Sequence, residues 1–377
     1  MKIIIAPDKF KGSLTSEQAC KSIAAGILQV DKDIEIIQFP MADGGDGFAA
    51  VLQYYLHTQT IIASTVDPLM RMVNAAYQWE QINRTAIIEL AAASGMELLQ
   101  PAERDPLYTS TYGTGLQILN AVQKGAEKII LGLGGSGTND AGIGILAALG
   151  FQLLDANENV LPPVGDSLQY IKKIIPPLTV PNICFEIACD VTNILYGSEG
   201  AAFVYAAQKG ADARAIEILD KGLQQFANAV KEQTGKDIAS FAGAGAAGGV
   251  AAGLAAYFDT TIINGAKLVA DAGKIEDDMK GAGLIITGEG KLDNQSSKGK
   301  VVQHIAALGN QHNVPVMALC GIATISEQER IQIGLSAVYS LVNNTISKDV
   351  AVVQAGILLS AAAEKAVRSF LNDDGTE

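Results

Sequence analysis

The stretch GLGGSGTNDAGIG sets Gly132, Gly134 and Gly137 at G-x-G-x-x-G spacing. Glycines so placed let a backbone come close to a phosphate, and a helix that follows turns its first N–H groups toward the anion. The same loop holds Ser136, Thr138, Asn139 and Asp140. Hydroxyl, amide and carboxylate groups of this kind suit a phosphate and metal site, and a dinucleotide fold does not need them. The glycine spacing alone is cheap, because it recurs at Gly243, Gly245 and Gly248 with no strand before it.

A dinucleotide site makes one further demand. The strand after the loop should end in an acidic residue about 20 positions on, and Asp155 lies near there. Asp155, however, opens DANEN, a turn that sends the chain back as VLP, so the segment reads as a hairpin and not as a second crossover. A nicotinamide-dependent hydroxy-acid dehydrogenase is therefore the lesser alternative.

Other polar clusters fall at the ends of apolar runs, where open α/β sheets bind their ligands. APDKFKGSLTS places Asp8, Lys9 and Lys11 just past a strand, with Ser13 and Thr15 opening the next helix, a donor set for a small anion. MADGGDG carries Asp43 and Asp46 among glycines, a carboxylate pair able to hold Mg²⁺ or to shape a turn. ACDVTN ends a strand in Asp190, with Asn193 as a further oxygen ligand. ITGEGKLDNQSSKGK ends another in Thr287, Glu289, Lys291 and Asp293, with Lys298 and Lys300 beyond, a mixture suited to a nucleotide and its metal. The hydroxyls of TSTYGTG, Thr109 to Gly115, are largely explained by capping and turn formation.

What the chain lacks narrows the chemistry. It has no G-x-x-x-x-G-K-[ST], no H-R-D or D-F-G pair, no G-x-S-x-G, and only His57, His304 and His312, none at zinc-site spacing. Acidic, glycine-rich strand ends without histidine favour phosphoryl transfer, where positioning and charge stabilisation dominate. A net charge of −13 without a basic cluster argues against a nucleic-acid partner. The opening MKIIIAPDKF is too short for a signal sequence, and the Ala/Gly run from Ala242 to Phe258 transfers poorly to lipid. A soluble cytoplasmic protein with no membrane partner is expected, its four cysteines reduced.

Strands and helices must bring these clusters together. Short apolar runs (KIIIA, IEIIQF, TAIIEL, KIILGLGG, CFEIACD, LIITGEG, VPVMALC, AVYSLVN) alternate with helical stretches, the pattern of an α/β fold with parallel sheets. Residues 60–80 and 151–162 read as hairpins. A length of 377 residues implies two domains. The expected division is a discontinuous, doubly wound, mostly parallel Rossmann-like domain (1–65 and 281–377) with a second α/β domain of mixed sheet and glycine-rich loops (66–280) inserted into it. The active site is expected in the cleft between them.

Taken in order, APDKFKGSLTS, MADGGDG, TSTYGTG, GLGGSGTNDAGIG, CDVTN, QKGA, GAGAAGG and ITGEGKLD resemble the motif series of the bacterial type-1 glycerate kinases, over essentially the whole chain. The resemblance implies an ATP- and Mg²⁺-dependent kinase of D-glycerate that makes 2-phosphoglycerate, with a 3-phosphate product as the alternative and a non-enzymatic anion sensor as a remoter one. It leaves a homodimer open. Ile194 and Ala207 stand where that family often has proline, a departure of backbone shape and not of chemistry.

On that reading Asp190 is the expected base, with Asp8 second. Lys9 and Lys291 assist at the reacting groups. Lys9, Lys11, Ser13 and Asn193 bind glycerate. Gly134, Gly135, Ser136, Gly137, Thr138 and Asn139, with Thr287 and Glu289, hold the nucleotide, while Asp43, Asp46 and Asp293 hold the metal.

Overall fold

Five apolar runs from the two ends of the chain pair side by side. They are β1 (Lys2–Pro7), β2 (Glu35–Gln38), β11 (Leu284–Leu292), β12 (Val316–Ala323) and β13 (Ala337–Ser340), arranged β13-β12-β11-β1-β2 and parallel throughout. The computed structural model describes residues 1–293 and 301–373. Within it the chain divides into two units, the first formed by Met1–Asp43, Ala50–Tyr55 and the chain from Asn264 onward, the second by Gly44–Ala49 and Leu56–Ile263. It is an α/β fold: a doubly wound parallel sheet with a second α/β body of mixed sheet inserted in its sequence.

In the first unit β1 lies at the centre, and Ile3, Ile4 and Ile5 are all fully buried, as a parallel strand covered on both faces requires. The helix Ser16–Ile27 begins with a capping box, Thr15 Oγ1 accepting from Gln18 N–H and Gln18 Oε1 from Thr15 N–H. A cap of this kind contributes about 1 kcal/mol. That helix packs against the long helix Ala355–Asp373, where a Cβ on Gly26 would overlap the carbonyl of Ser360. Helix Val301–Gln311 covers the other face, with Gly309 against Ile285 and Val316. The chain winds one way from β1 to β2 and the opposite way from β11 to β13, so the switch point falls between β1 and β11.

β11 covers the LIITGEG run and continues two residues beyond it to Leu292, paired with β12 as far as Leu292↔Ala323. Glycines allow it: a Cβ on Gly288 would overlap the carbonyl of Leu319, and one on Gly321 would meet the carbonyl oxygen of Gly290 at 2.5 Å.

The second unit is built on β3 (Gln59–Val66), β4 (Met72–Glu80), β5 (Thr85–Glu89), β6 (Lys128–Gly132), β9 (Cys184–Ala188) and β10 (Asp259–Ile263), in the order β10-β9-β6-β5-β4-β3. Four strands are parallel, and the β3–β4 hairpin adds the antiparallel edge. A separate ribbon pairs β7 (Gln152–Leu154) with β8 (Lys173–Ile175). After β6 the chain thus leaves the main sheet. Asp155 accepts from Asn157 N–H at 2.8 Å and Asn159 N–H at 2.9 Å, so it caps its own exposed turn and is no ribose ligand.

Candidate active site

In the second unit three of the motifs meet at the carboxyl edge of β6 and β9, which are paired up to Gly132↔Ala188. Glycine is required where they cross. A Cβ on Gly132 would meet the Gly44 carbonyl oxygen at 2.8 Å, one on Gly44 would meet the Ala188 oxygen at 3.0 Å, and one on Gly134 would overlap Gly45. The GGDG, GLGGSGTND and CDVTN segments therefore form one backbone-lined patch. Gly134 and Ser136 are half-buried and Gly135 is exposed, with a φ of +72° that glycine takes without strain. Asp46 is exposed, and Asp190 is half-buried two residues past β9.

The polar groups around this loop divide into those that build it and those left facing ligand. Asp140 is fully buried and builds: its carboxylate accepts from Thr111 N–H and Thr111 Oγ1, both at 2.8 Å, from Gly142 N–H at 3.1 Å and from Gly144 N–H at 3.2 Å. Burial nonetheless holds its pKa above the ordinary carboxylate value. Thr109 donates to Gly137 O at 2.9 Å and Ser110 to Pro163 O at 2.6 Å, while Thr114 pairs with Ser94 Oγ at 2.7 Å. The TSTYGTG hydroxyls are thus scaffold for the loop. The second glycine motif has the same role, since Ala141 N–H donates to Gly248 O at 2.9 Å and a Cβ on Gly248 would meet Asn139 Cα at 2.5 Å.

Asn139 is fully buried, and neither its amide oxygen nor its nitrogen has a hydrogen-bond partner among the described residues. Asn193 is tied to its own segment: its nitrogen donates to Glu199 O at 2.8 Å and its oxygen accepts from Tyr205 OH at 2.7 Å. Lys209 is the group that the residue-by-residue reading missed. It lies within QKGA, is 2% exposed, and donates to Ser136 Oγ at 2.8 Å and Thr138 O at 2.6 Å. Burial lowers its pKa to about 7, an effect that Asp140 partly opposes. Nothing in local spacing distinguishes it from a surface lysine, and only its place in an ordered motif series marked it.

In the first unit the switch point gathers acids. Asp8, 7% exposed, follows β1 and accepts from Lys9 N–H at 2.7 Å. Its pKa is raised well above the usual range by burial, then by the charges of Asp43 and Glu289. Lys9 and Ser13 are half-buried and Lys11 exposed, in a tight turn where Ser13 donates its hydroxyl to Phe10 O at 3.0 Å. Thr287 is fully buried and gives its hydroxyl proton to Ala6 O at 2.8 Å. Lys291 and Asp293 pair with each other at 2.6 Å. Lys298 and Lys300 lie outside the described residues.

Among the described residues no group of three or more His, Cys, Asp or Glu stands at metal-holding spacing, so Asp43, Asp46 and Asp293 are not assembled as a cage. Mg²⁺ bound through one or two carboxylates and substrate phosphates needs none. The charges of Asp43 and Glu289 act against an ionised Asp8, a repulsion that a dication held through one or two of these carboxylates would relieve.

Glycine-rich backbone at the carboxyl ends of parallel strands marks an α/β protein whose ligand edge lies there. The comparisons name the family. The glycerate kinase family profile matches residues 3–371. The chain is 40% identical over 364 residues to the glycerate kinase of Halalkalibacterium halodurans, covering 96% of each, and 38% identical over 347 residues to the glycerate 2-kinase of Escherichia coli, covering 91% of each. The crystal structure of a Salmonella typhimurium LT2 protein assigned as glycerate kinase 2 matches with a TM-score of 0.85 and 36% identity, over 100% of this chain and 99% of that one. The chain belongs to the glycerate kinase family and is a kinase. Among its described residues no helix is long and apolar enough to cross a membrane.

Proposed function

We propose that the protein transfers the γ-phosphoryl group of ATP to the 2-hydroxyl of D-glycerate, giving 2-phosphoglycerate and ADP with Mg²⁺. The observation that carries this reading is the meeting of three loops on β6 and β9, a backbone-lined patch with a carboxylate, Asp190, at the same strand edge. The name of the Escherichia coli relative supports the 2-position.

The loop Gly134–Asn139 receives the nucleotide phosphates through backbone N–H groups. Asp190 takes the proton from the glycerate hydroxyl as its oxygen bonds to the γ-phosphorus and the bond to the β,γ-bridging oxygen breaks, in line, with ADP leaving. Lys9 and Lys11 attract the glycerate carboxylate. Ser13 gives its proton to Phe10 O and keeps its oxygen as an acceptor for a glycerate hydroxyl. Asp8, with Asp43 or Glu289, would hold Mg²⁺, which would supply positive charge to offset that of the phosphates. The Lys291–Asp293 pair supplies a cation near this edge of the first unit.

The test is ADP release by purified protein with ATP, Mg²⁺ and D-glycerate, followed beside an enolase-coupled readout without mutase. ADP with an immediate enolase signal supports the 2-kinase. ADP without it makes the enzyme a 3-kinase, and no ADP above the glycerate-free control ends the reading.

A further inference from the structure

We infer that Lys209 is a positioning residue for the Gly134–Asn139 loop, holding it through Ser136 Oγ and Thr138 O in the shape that receives the nucleotide's phosphates. The inference rests on the proposal that this loop binds phosphate, and it adds a residue outside the loop on which that binding depends.

Three observations carry it. First, the loop is held at separate points by separate elements. Met96 N–H donates to Gly135 O at 2.9 Å, Gly137 N–H donates to Ser94 O at 2.9 Å, and Thr109 donates to Gly137 O. The Ser136 hydroxyl and the Thr138 carbonyl are left to Lys209 alone among described side chains. Second, the lysine is itself fixed. It is followed by Gly210 at a φ of +100°, where a Cβ would overlap the carbonyl of Arg104, so the chain turns directly behind the amine. Third, both acceptors of this buried amine are neutral, an arrangement that is costly for a cation unless other charge is nearby.

Asp140 from the loop is the charge acting on the amine, and Arg104 lies on the segment packed against Gly210. A polyanion arriving on the exposed side of the loop adds negative charge that favours the protonated amine. Lys209 therefore couples loop shape to nucleotide charge without touching the reacting atoms.

The experiment is steady-state kinetics on Lys209→Met, Ser136→Ala, their double variant, and Gly135→Asp. The last puts a carboxylate on the exposed face at a left-handed position that Asp adopts more readily than most residues, with its Cβ 3.1 Å from Ala91 Cβ, and it does not substitute Lys209; its fold is checked by the Trp79 fluorescence midpoint. Lys209→Met should raise KM for ATP roughly tenfold or more, with KM for D-glycerate held within about twofold. Ser136→Ala should shift the same constant less, and the double variant should be no worse than Lys209→Met, because the Ser136 contribution passes through the amine. If Gly135→Asp raises KM for ATP while folded Lys209→Met keeps the wild-type value, the inference is overturned and the phosphate-loop reading stands. If Gly135→Asp leaves KM for ATP unchanged, the loop reading fails and takes the inference with it. Should Lys209→Met not fold, Ser136→Ala decides, and a wild-type KM for ATP there overturns the role.

Discussion

Asp140 offers the sharpest test of whether the polar residues of the glycine-rich loop are scaffold or ligand. Replacing it by Ala strips the acceptor from Thr111 N–H, Thr111 Oγ1, Gly142 N–H and Gly144 N–H in a fully buried place. A buried donor left unpaired costs roughly 1–3 kcal/mol. The Thr111 hydroxyl can turn toward another acceptor, but three backbone donors cannot, so the loss should be about 4 kcal/mol. Asp140→Asn keeps one oxygen and should lose about half of that, since its NH₂ then faces donors. The second unit carries its own reporter, because Trp79, the one tryptophan of the chain, is buried in β4. With a urea m-value of about 2 kcal/mol/M, the Trp79 fluorescence midpoint should fall by about 2 M for Ala and about 1 M for Asn. A midpoint unchanged in Asp140→Ala, together with abolished turnover, would show that the carboxylate serves ligand and that the scaffold account is wrong.

Four further outcomes are expected. Asp190→Asn should lower kcat by roughly 100-fold or more with the Trp79 midpoint unchanged, and full activity would remove Asp190 from the base role. Thr287→Val should cost about 1 kcal/mol through the lost bond to Ala6 and leave KM for ATP as it was; a rise in that KM would return Thr287 to the nucleotide site. Gly288→Ala should destabilise the first unit by about 2 kcal/mol or more, seen as earlier loss of amide protection in β11 and β12, because the new methyl meets the Leu319 backbone. Lys209 has a folded pKa of about 7, below its unfolded value of 10.5, so the unfolded chain binds more protons between those values and stability rises with pH across that window. Wild type should therefore gain up to about 1.4 kcal/mol per pH unit above pH 7 relative to Lys209→Met, and parallel pH profiles for the two proteins would refute the buried-amine account.

The strands were legible because each is a run of apolar residues between turn-formers, and β1, β6 and β9 lie where KIIIA, KIILG and CFEIA read as strands. The β3–β4 hairpin and the Asp155 turn were legible for the same reason. The patch of Gly134, Ser136 and the Asp190 segment was readable as three motifs, though not as one place, since adjacency comes from β6 pairing with β9 across 50-odd residues of intervening chain. The roles of single polar residues were not legible. Thr287, Asn193 and Asp140 look like ligands in sequence, yet each hydrogen-bonds to protein that lies far off in the chain or has no pattern of its own. Lys209 is the converse: its type and neighbours suggest solvent, and only packing puts its amine against the loop.

The pairing of β1 with β11, Ile3 beside Leu284, has a consequence for how the chain is made. At a synthesis rate of about 5–20 residues per second, the central strand of the first sheet leaves the ribosome roughly 15 to 60 s before its partner. Contacts of such long sequence separation form late. The inserted unit, whose sheet closes within Leu56–Ile263, has all its strands available earlier. Nascent chains should therefore hold β1, three consecutive isoleucines, beside only β2 until β11 emerges, and that interval is when they are most open to chaperones and to aggregation.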